Sequence, residues 1–135
     1  MSKPRDRWWG YARRVIRDYP AMRARLDDLR RDAITTTASY GPVGGHGSPG
    51  DPVSRAAMIT LPDREQIELE AVEEAVRETR QLRDGEARLR IIDMVFWAGS
   101  HTLAGAAMRE HVSYPTAKRK QNQFIRLVGE KMGLT

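Results

Sequence analysis

The sequence contains no cysteine and only three histidines, which lie far apart at positions 46, 101 and 111. Disulfide bonds and thiolate metal sites are therefore excluded. No nucleophile motif, phosphate-binding loop or paired set of metal ligands is present either. We therefore expect no catalytic residues, no metal and no cofactor, and the chain is predicted not to be an enzyme.

Long apolar runs are also missing. No stretch of about 18 apolar residues, the length that crosses a bilayer, occurs in the chain. The N-terminus carries basic residues without the apolar segment of a secretory signal. We expect a cytoplasmic protein that has no membrane partner.

No segment alternates apolar and polar residues with the period of two that strands require. Apolar residues instead recur every three or four positions, which predicts an all-α fold. We expect an N-terminal helical pair in residues 1–34, a long Gly/Pro-rich loop or linker in 35–62 and a helical domain in 63–135. That domain would begin with a long amphipathic helix and end with a C-terminal tri-helical helix-turn-helix unit.

The N-terminal pair starts with two aromatic residues, Trp8 and Trp9. Tyr19-Pro20 is expected to end the first helix, because the residue before a proline is disfavoured in the α conformation. Pro20 then suits the first turn of the second helix. The tryptophans either pack between helices or anchor a partner. In the second case the partner could be another copy of the chain, in a homodimer or higher oligomer formed through this aromatic helix.

The long amphipathic helix is expected to begin around Leu61-Pro62-Asp63, and Asp84-Gly85 should stop it. Its predicted buried stripe consists of Ile67, Val72, Ala75, Val76, Thr79 and Leu82.

Charge is unevenly distributed along the chain, whose net charge is +5. Residues 1–34 carry ten basic and five acidic side chains. Residues 63–86 carry four basic and nine acidic side chains, and residues 87–135 carry eight basic and three acidic side chains. A basic end is the usual footprint of a phosphate-binding surface. The acidic segment should face away from such a surface or meet a basic partner. The alternative is that all three segments are solvated helix faces.

Residues 102–132 have the pattern of a helix-turn-helix. Thr102 can cap a short first helix, whose small residues 104–107 let another helix approach closely. His111-Val112-Ser113 forms the connection, and Ser113 or Tyr114 can cap the second helix, in which Pro115 is tolerated at the first turn. The apolar helix 89–97 would complete a tri-helical core.

The second helix, 114–132, separates its side chains by face. The residues expected to face the core are Ala117, Gln121, Phe124, Val128 and Met132. The residues then left facing solvent are Thr116, Lys118, Arg119, Asn122 and Gln123. Basic side chains can neutralise phosphates or read guanine, and amides can pair with adenine, so this helix is predicted to read the major groove of double-stranded DNA. A generic helical hairpin with a solvated basic face is the alternative.

Several motifs together resemble the RinA/ArpU group of phage-encoded transcriptional regulators. They are Tyr19-Pro20 after an aromatic helix, GGHGSPGDPV followed by RAAM, the acidic ELEAVEEAVRETRQL, the apolar RLRIIDMVFW, and then T-L-x-x-A-A, V-S-x-x-T-A and a terminal M-G-L. The resemblance covers nearly the whole chain and is most specific over residues 64–135. The C-terminal half is also similar to region 4 of sigma factors, the domain that reads a promoter element.

The resemblance implies a small sequence-specific DNA-binding activator of late phage genes, acting in the bacterial host cell. Carried over by position, the DNA-contacting residues would be Ser113, Thr116, Lys118, Arg119 and Asn122, with Thr102 and Lys120 as phosphate contacts. Tyr114 and Gln123, on the same helix, complete the candidate site.

Two other functions are compatible with the sequence. One is a small terminase-like DNA-packaging subunit, in which the long helix would build a ring. The other is a protein-interaction module that binds host RNA polymerase through the acidic helix, and such a contact is also compatible with a regulator.

Overall fold

The computed structural model describes residues 7–39 and 52–135, without the side chains of residues 36–39. Within these ranges the chain forms helices and no strand, so the all-α prediction is confirmed for them. The helices are α1 (Arg7–Ser39), α2 (Pro52–Ala57), α3 (Asp63–Arg80), α4 (Gly85–Ile92), α5 (Leu103–Arg109) and α6 (Tyr114–Lys131). The end of α4 continues into a π-helical turn, Asp93–Trp97. Among the described helices, none combines the length and the apolar character needed to cross a membrane.

The predicted break at Tyr19-Pro20 is wrong, because α1 continues through Pro20. A proline inside a helix has no N–H for the carbonyl four residues earlier, which here is that of Ile16. The indole N–H of Trp97 donates to the Ile16 carbonyl instead, with an N–O distance of 2.8 Å. A donor from the C-terminal half of the chain thus replaces the missing intrahelical bond, and the expected helical pair is one helix.

Part of the predicted loop is helical. Residues 35–39 belong to α1 and residues 52–57 form α2. The intervening residues 40–51, with His46 among them, lie outside the described part of the chain. After α2 the guanidinium of Arg30 donates to the Ile59 carbonyl at 3.2 and 3.1 Å, which ties this segment to α1.

The main hydrophobic core lies between α1, α3 and α6, and α4 and the π-helical turn close one side of it. Its members from these three helices include Ala12, Val15, Ile16, Met22, Leu26, Leu69, Val72, Ala75, Phe124, Ile125 and Val128. Each large aliphatic or aromatic side chain buried in this way contributes about 1.5–3 kcal/mol. The N-terminal helix therefore shares one core with the helix predicted to read DNA.

The stripe that α3 buries is shifted from the predicted one. The predicted members that are buried are Val72, Ala75, Thr79 and, in part, Val76. Ile67 is 55% exposed and Leu82 is 47% exposed, so the prediction is wrong for these two residues. Leu69 and Glu68 are buried instead. Glu68 tolerates burial because the Tyr11 hydroxyl donates to its carboxylate across the α1–α3 interface.

The acidic face of α3 meets the basic face of α1. Arg23 and the Tyr19 hydroxyl donate to the same carboxylate oxygen of Glu73, at 2.9 and 3.1 Å. Arg25 pairs with Glu65 at 2.9 Å. Burial, followed by the proximity of Glu73, raises the pKa of Tyr19 to about 12. The basic partner of the acidic segment is thus a helix of the same chain.

The helices α4, α5 and α6 contact one another pairwise. A second, small core of Ile91, Ala106, Ala107 and Ala117 lies between them, and the small size of the alanines allows close packing. Gly85 begins α4 against the end of α3, where a Cβ atom would lie 2.2 Å from the Thr79 carbonyl oxygen. Only glycine fits there, so this glycine determines how closely α4 approaches α3.

Candidate nucleic-acid interface

The turn between α5 and α6 is held by local hydrogen bonds. His111 has a φ of 59°, a left-handed conformation that is uncommon outside glycine and in which histidine is enriched. The Val112 amide donates to the Ala107 carbonyl at 3.0 Å and the His111 amide to the Met108 carbonyl at 3.2 Å. This pair of bonds is a Schellman motif. The Val112 side chain also packs on the small core, so the direction in which the chain leaves α5 is fixed.

Both helices that flank the turn begin with a side-chain cap. The Thr102 hydroxyl accepts from the Gly105 amide at 3.0 Å. The Ser113 hydroxyl accepts from the Thr116 amide at 3.2 Å and donates to the Thr116 hydroxyl at 2.9 Å. The predicted capping by Thr102 is confirmed, and Ser113 rather than Tyr114 caps the second helix. Three candidate DNA-contacting residues therefore already have structural roles.

The inward face of α6 anchors the helix. The predicted core residues Ala117, Gln121, Phe124 and Val128 are buried, and Met132 packs partly against the core. Trp8 lies over Gly129 so closely that a Cβ atom on Gly129 would be 2.6 Å from the indole ring. Trp8 and Trp9 also contact each other, with ring centroids 5.5 Å apart. The aromatic start of α1 thus packs on α6, and this packing determines which face of α6 points outward.

The outward face of α6 forms a shallow polar groove. It is lined by Pro115, Lys118, Arg119, Asn122, Gln123 and Arg126. The first five of these are predicted from the sequence to lie on the second helix, as a first-turn residue or as candidate site residues, whereas Arg126 is not among the predicted site residues. Arg126 follows Arg119 by seven residues, which is two helical turns, so its place on this face could have been read from the spacing. We call these six residues the outward face of α6.

The cations of the outward face are available to a ligand. No ion pair or side-chain hydrogen bond joins Lys118, Arg119 or Arg126 to another residue in the described ranges. All three side chains are exposed, whereas Asn122 is half-buried. Of the acidic residues of α3, Glu65 and Glu73 pair with α1, and Glu74 and Glu78 pair with Lys131 at the end of α6. The outward face therefore carries uncompensated positive charge next to amide groups.

Lys120 lies on a different side of α6 from the outward face. Its ammonium pairs with Asp84 at 3.0 Å, and its side chain is only 13% exposed. Asp84 also accepts from Nε of Arg88 through both carboxylate oxygens, at 3.0 and 2.9 Å. The Arg88 hydrogen bond lowers the pKa of Asp84 below its ordinary value, and Lys120 acts in the same direction. The expected phosphate contact from Lys120 thus competes with an ion pair inside the chain.

Gln123 connects the cluster of Asp84, Arg88 and Lys120 to the outward face. Nη1 of Arg88 donates to Oε1 of Gln123 at 2.6 Å. Arg88 and Asp84 are not among the predicted site residues, because they lie in or next to α4 and 35 or more positions before Gln123. No local pattern relates residues at such a separation.

Tyr114 and Thr116 lie beside the groove at the start of α6. Tyr114 is 48% exposed. Thr116 is half-buried and bound to Ser113. Tyr114 can therefore reach a ligand at the entering end of α6, whereas the Thr116 hydroxyl would have to leave its present partner.

A metal site is not evident in the ranges that the structure describes, which contain no group of three or more His, Asp or Glu side chains suited to one ion. Comparison with protein-family models, with curated proteins and with solved structures found no significant match. The resemblance to the RinA/ArpU group therefore stays a prediction.

Proposed function

We propose that this protein is a sequence-specific DNA-binding transcriptional regulator that places the outward face of α6 in the major groove. In this proposal α5, the turn and α6 form the helix-turn-helix, and α4 is the third helix of its core. The observation that carries the proposal is the outward face itself. Three exposed cations, which have no partner in the described part of the chain, stand there beside two amide side chains along more than two turns of one helix.

The packing of α6 supports this use. A helix that reads base edges must be held rigidly, because discrimination depends on hydrogen-bond geometry. The inward face of α6 is buried against α1, α3, α4 and α5. The chain also keeps much of its acidic charge away from the groove, since glutamates of α3 pair with arginines of α1. Phosphates approaching α6 would thus meet little repulsion.

Each polar residue of the outward face then has a role of stated chemistry. Lys118 and Arg126 neutralise phosphates, which contributes affinity that falls with salt. Arg119, in the second turn of α6, reads guanine O6 and N7 or a phosphate. Asn122 and Gln123 supply amide contacts to base edges. Ser113 and Thr102 serve chiefly as caps that hold the two helices in place.

The biological setting follows from the resemblance to the RinA/ArpU group. It places the protein in a phage-infected bacterial cell, as an activator of late genes, with host RNA polymerase as its second partner. The packing of α3 favours the regulator over the packaging alternative. An apolar stripe of α3 that could build a ring is already buried against α1 and α6 of the same chain.

The test is DNA binding measured with fragments of the genome that encodes the chain, at two salt concentrations. We expect one fragment to bind far more tightly than the rest, with an affinity that falls steeply as salt rises. Arg119→Ala should weaken binding to that fragment by about 1–3 kcal/mol without unfolding the protein.

The matched control is Arg77→Ala, which removes the same charge from an exposed position on the acidic helix α3. It should leave the affinity for the preferred fragment nearly unchanged. Equal affinity of the parent and Arg119→Ala across all fragments would contradict the assignment of α6. A stable ring of about eight or more subunits in a sizing experiment, together with weak uniform binding, would favour packaging instead.

A further inference from the structure

The carboxamide of Gln123 is held in one orientation by α4. A guanidinium has only donors, so the amide oxygen of Gln123, not its nitrogen, must face Nη1 of Arg88, 2.6 Å away. The amide nitrogen with its two hydrogens is then directed away from Arg88. Gln123 is exposed and lines the outward face of α6, so these two donors are available to a ligand there.

Arg88 is itself anchored. Its Nε contacts both oxygens of Asp84 at 3.0 and 2.9 Å, and only 21% of its side chain is exposed. The same carboxylate holds Lys120 at 3.0 Å. Because α4 is packed on α6 through the small core and is fixed against α3 at Gly85, the guanidinium has a defined place relative to Gln123.

We propose that Arg88, anchored by Asp84, is a positioning residue that sets the base preference of Gln123. The inference rests on the proposed DNA-binding function. With its oxygen held by Arg88, Gln123 presents N–H donors, which match acceptors such as N7 and O6 of guanine, O4 of thymine or N7 of adenine. Without Arg88 the long, flexible side chain of Gln123 can turn its amide either way and discriminates less.

The experiment uses the full chain and a panel of all single-base variants of its best-binding DNA fragment, measured at one salt concentration. For the parent we expect a preference at one or two neighbouring base pairs that Gln123→Ala removes. Arg88→Met keeps the apolar stem of the side chain and removes the guanidinium. It should flatten the preference at those same base pairs, by about five- to tenfold, and leave the preferences at other positions unchanged.

A double-mutant cycle distinguishes positioning from direct contact. If Arg88 acts through Gln123, Arg88→Met should have no further effect on base preference in the Gln123→Ala protein. The inference would be overturned if the effects of the two single substitutions on base preference were independent and multiplied in the double variant. An unchanged base profile in Arg88→Met would also overturn it. A merely structural role would lower the melting temperature and weaken binding to all fragments alike, without flattening particular base pairs.

Two further variants make the test independent of folding problems. Arg90→Met is the matched control, since Arg90 also lies on α4 and donates from Nε to a carboxylate, that of Glu110, at 3.0 Å. It should leave the base profile unchanged. Asp84→Asn retains Arg88 but weakens its anchor, and should flatten the same base pairs to a smaller extent.

The experiment distinguishes an incorrect role for Arg88 from an incorrect proposed function. A parent protein with no preference at any base pair would refute the regulator function, and the inference with it. A parent with a clear profile that Arg88→Met and Asp84→Asn both leave intact would refute only the role of Arg88.

Discussion

The hydrogen bond from Trp97 to the Ile16 carbonyl is expected to be what permits α1 to run through Pro20. The carbonyl of Ile16 lies in a fully buried residue and lacks an intrahelical donor, because Pro20 has no N–H. Trp97→Phe removes the indole donor and keeps an aromatic ring near Tyr19 and Phe124, whose centroids lie 5.8 and 6.4 Å from that of Trp97.

The expected cost can be divided into two parts. A buried carbonyl left without a partner costs about 1–3 kcal/mol. The smaller ring also leaves a cavity, whose cost adds to the first part and should be the same whether residue 20 is proline or alanine. The first part should vanish in a Pro20→Ala background, where the amide of the introduced alanine can donate to the Ile16 carbonyl in the usual helical way.

Pro20→Ala alone should stabilise the protein. A proline in a helix interior is about 3 kcal/mol less favourable than alanine, and the looser unfolded chain of the alanine variant offsets about 0.4–1 kcal/mol of that gain. The hydrogen bond from Trp97 reduces the gain further, because it already supplies a donor to the Ile16 carbonyl in the parent. We therefore expect a gain well below about 3 kcal/mol.

The assay is urea unfolding of the parent, the two single variants and the double variant, followed by far-UV circular dichroism. Trp97→Phe should cost about 1–3 kcal/mol more in the parent background than in the Pro20→Ala background, at constant m-value. Trp8→Phe, which alters a ring packed on Gly129, is the control and should cost the same in both backgrounds. An equal cost of Trp97→Phe in both backgrounds would refute the view that Trp97 substitutes for the missing amide.

Three further outcomes are expected. The Gly129→Ala protein should be less stable than the Gly10→Ala protein by about 1–3 kcal/mol in the same unfolding assay. The reason is that a Cβ atom on Gly129 would meet Trp8, whereas Gly10 has open space around it; similar stabilities of the two variants would show that Trp8 can move aside. His111→Gly should stabilise the protein by up to about 1 kcal/mol and His111→Val should destabilise it, since φ is positive there; the reverse order in melting temperature would contradict the assigned turn. Tyr19 should ionise near pH 12, because burial favours its neutral form, so its contribution to stability is complete below pH 10 and is lost as pH rises through 12. The difference between the ultraviolet titration curves of the parent and Tyr19→Phe follows the ionisation of this one tyrosine, and a difference curve with its midpoint near the ordinary pKa of 10 would contradict the prediction.

Much of the α5–turn–α6 unit could be predicted from the sequence because it is specified locally. The caps at Thr102 and Ser113 join residues only three positions apart, and the buried face of α6 follows a simple helical period. The direction of α6 relative to α5 follows from a turn whose bonds stay within six residues. The all-α class follows from the same period.

What local patterns could not decide is how distant segments meet. The sequence rules for proline correctly state that Pro20 removes a helix bond, but the replacement donor lies 81 residues from Ile16. Glu68 reads as a solvated acid until Tyr11, 57 positions away, is placed against it. In both cases a residue unfavourable on its own becomes acceptable because the tertiary structure supplies a partner.

The candidate site divides in the same way. That Lys118, Arg119 and Asn122 share one face of a helix follows from the order of residues, since the helical period is enough to establish it. That Lys120 is held by Asp84 and Gln123 is oriented by Arg88 follows only once the helices are packed together. The physical reason is that a helical period places side chains around one axis, whereas the partner each side chain finds depends on which other helices are packed beside it.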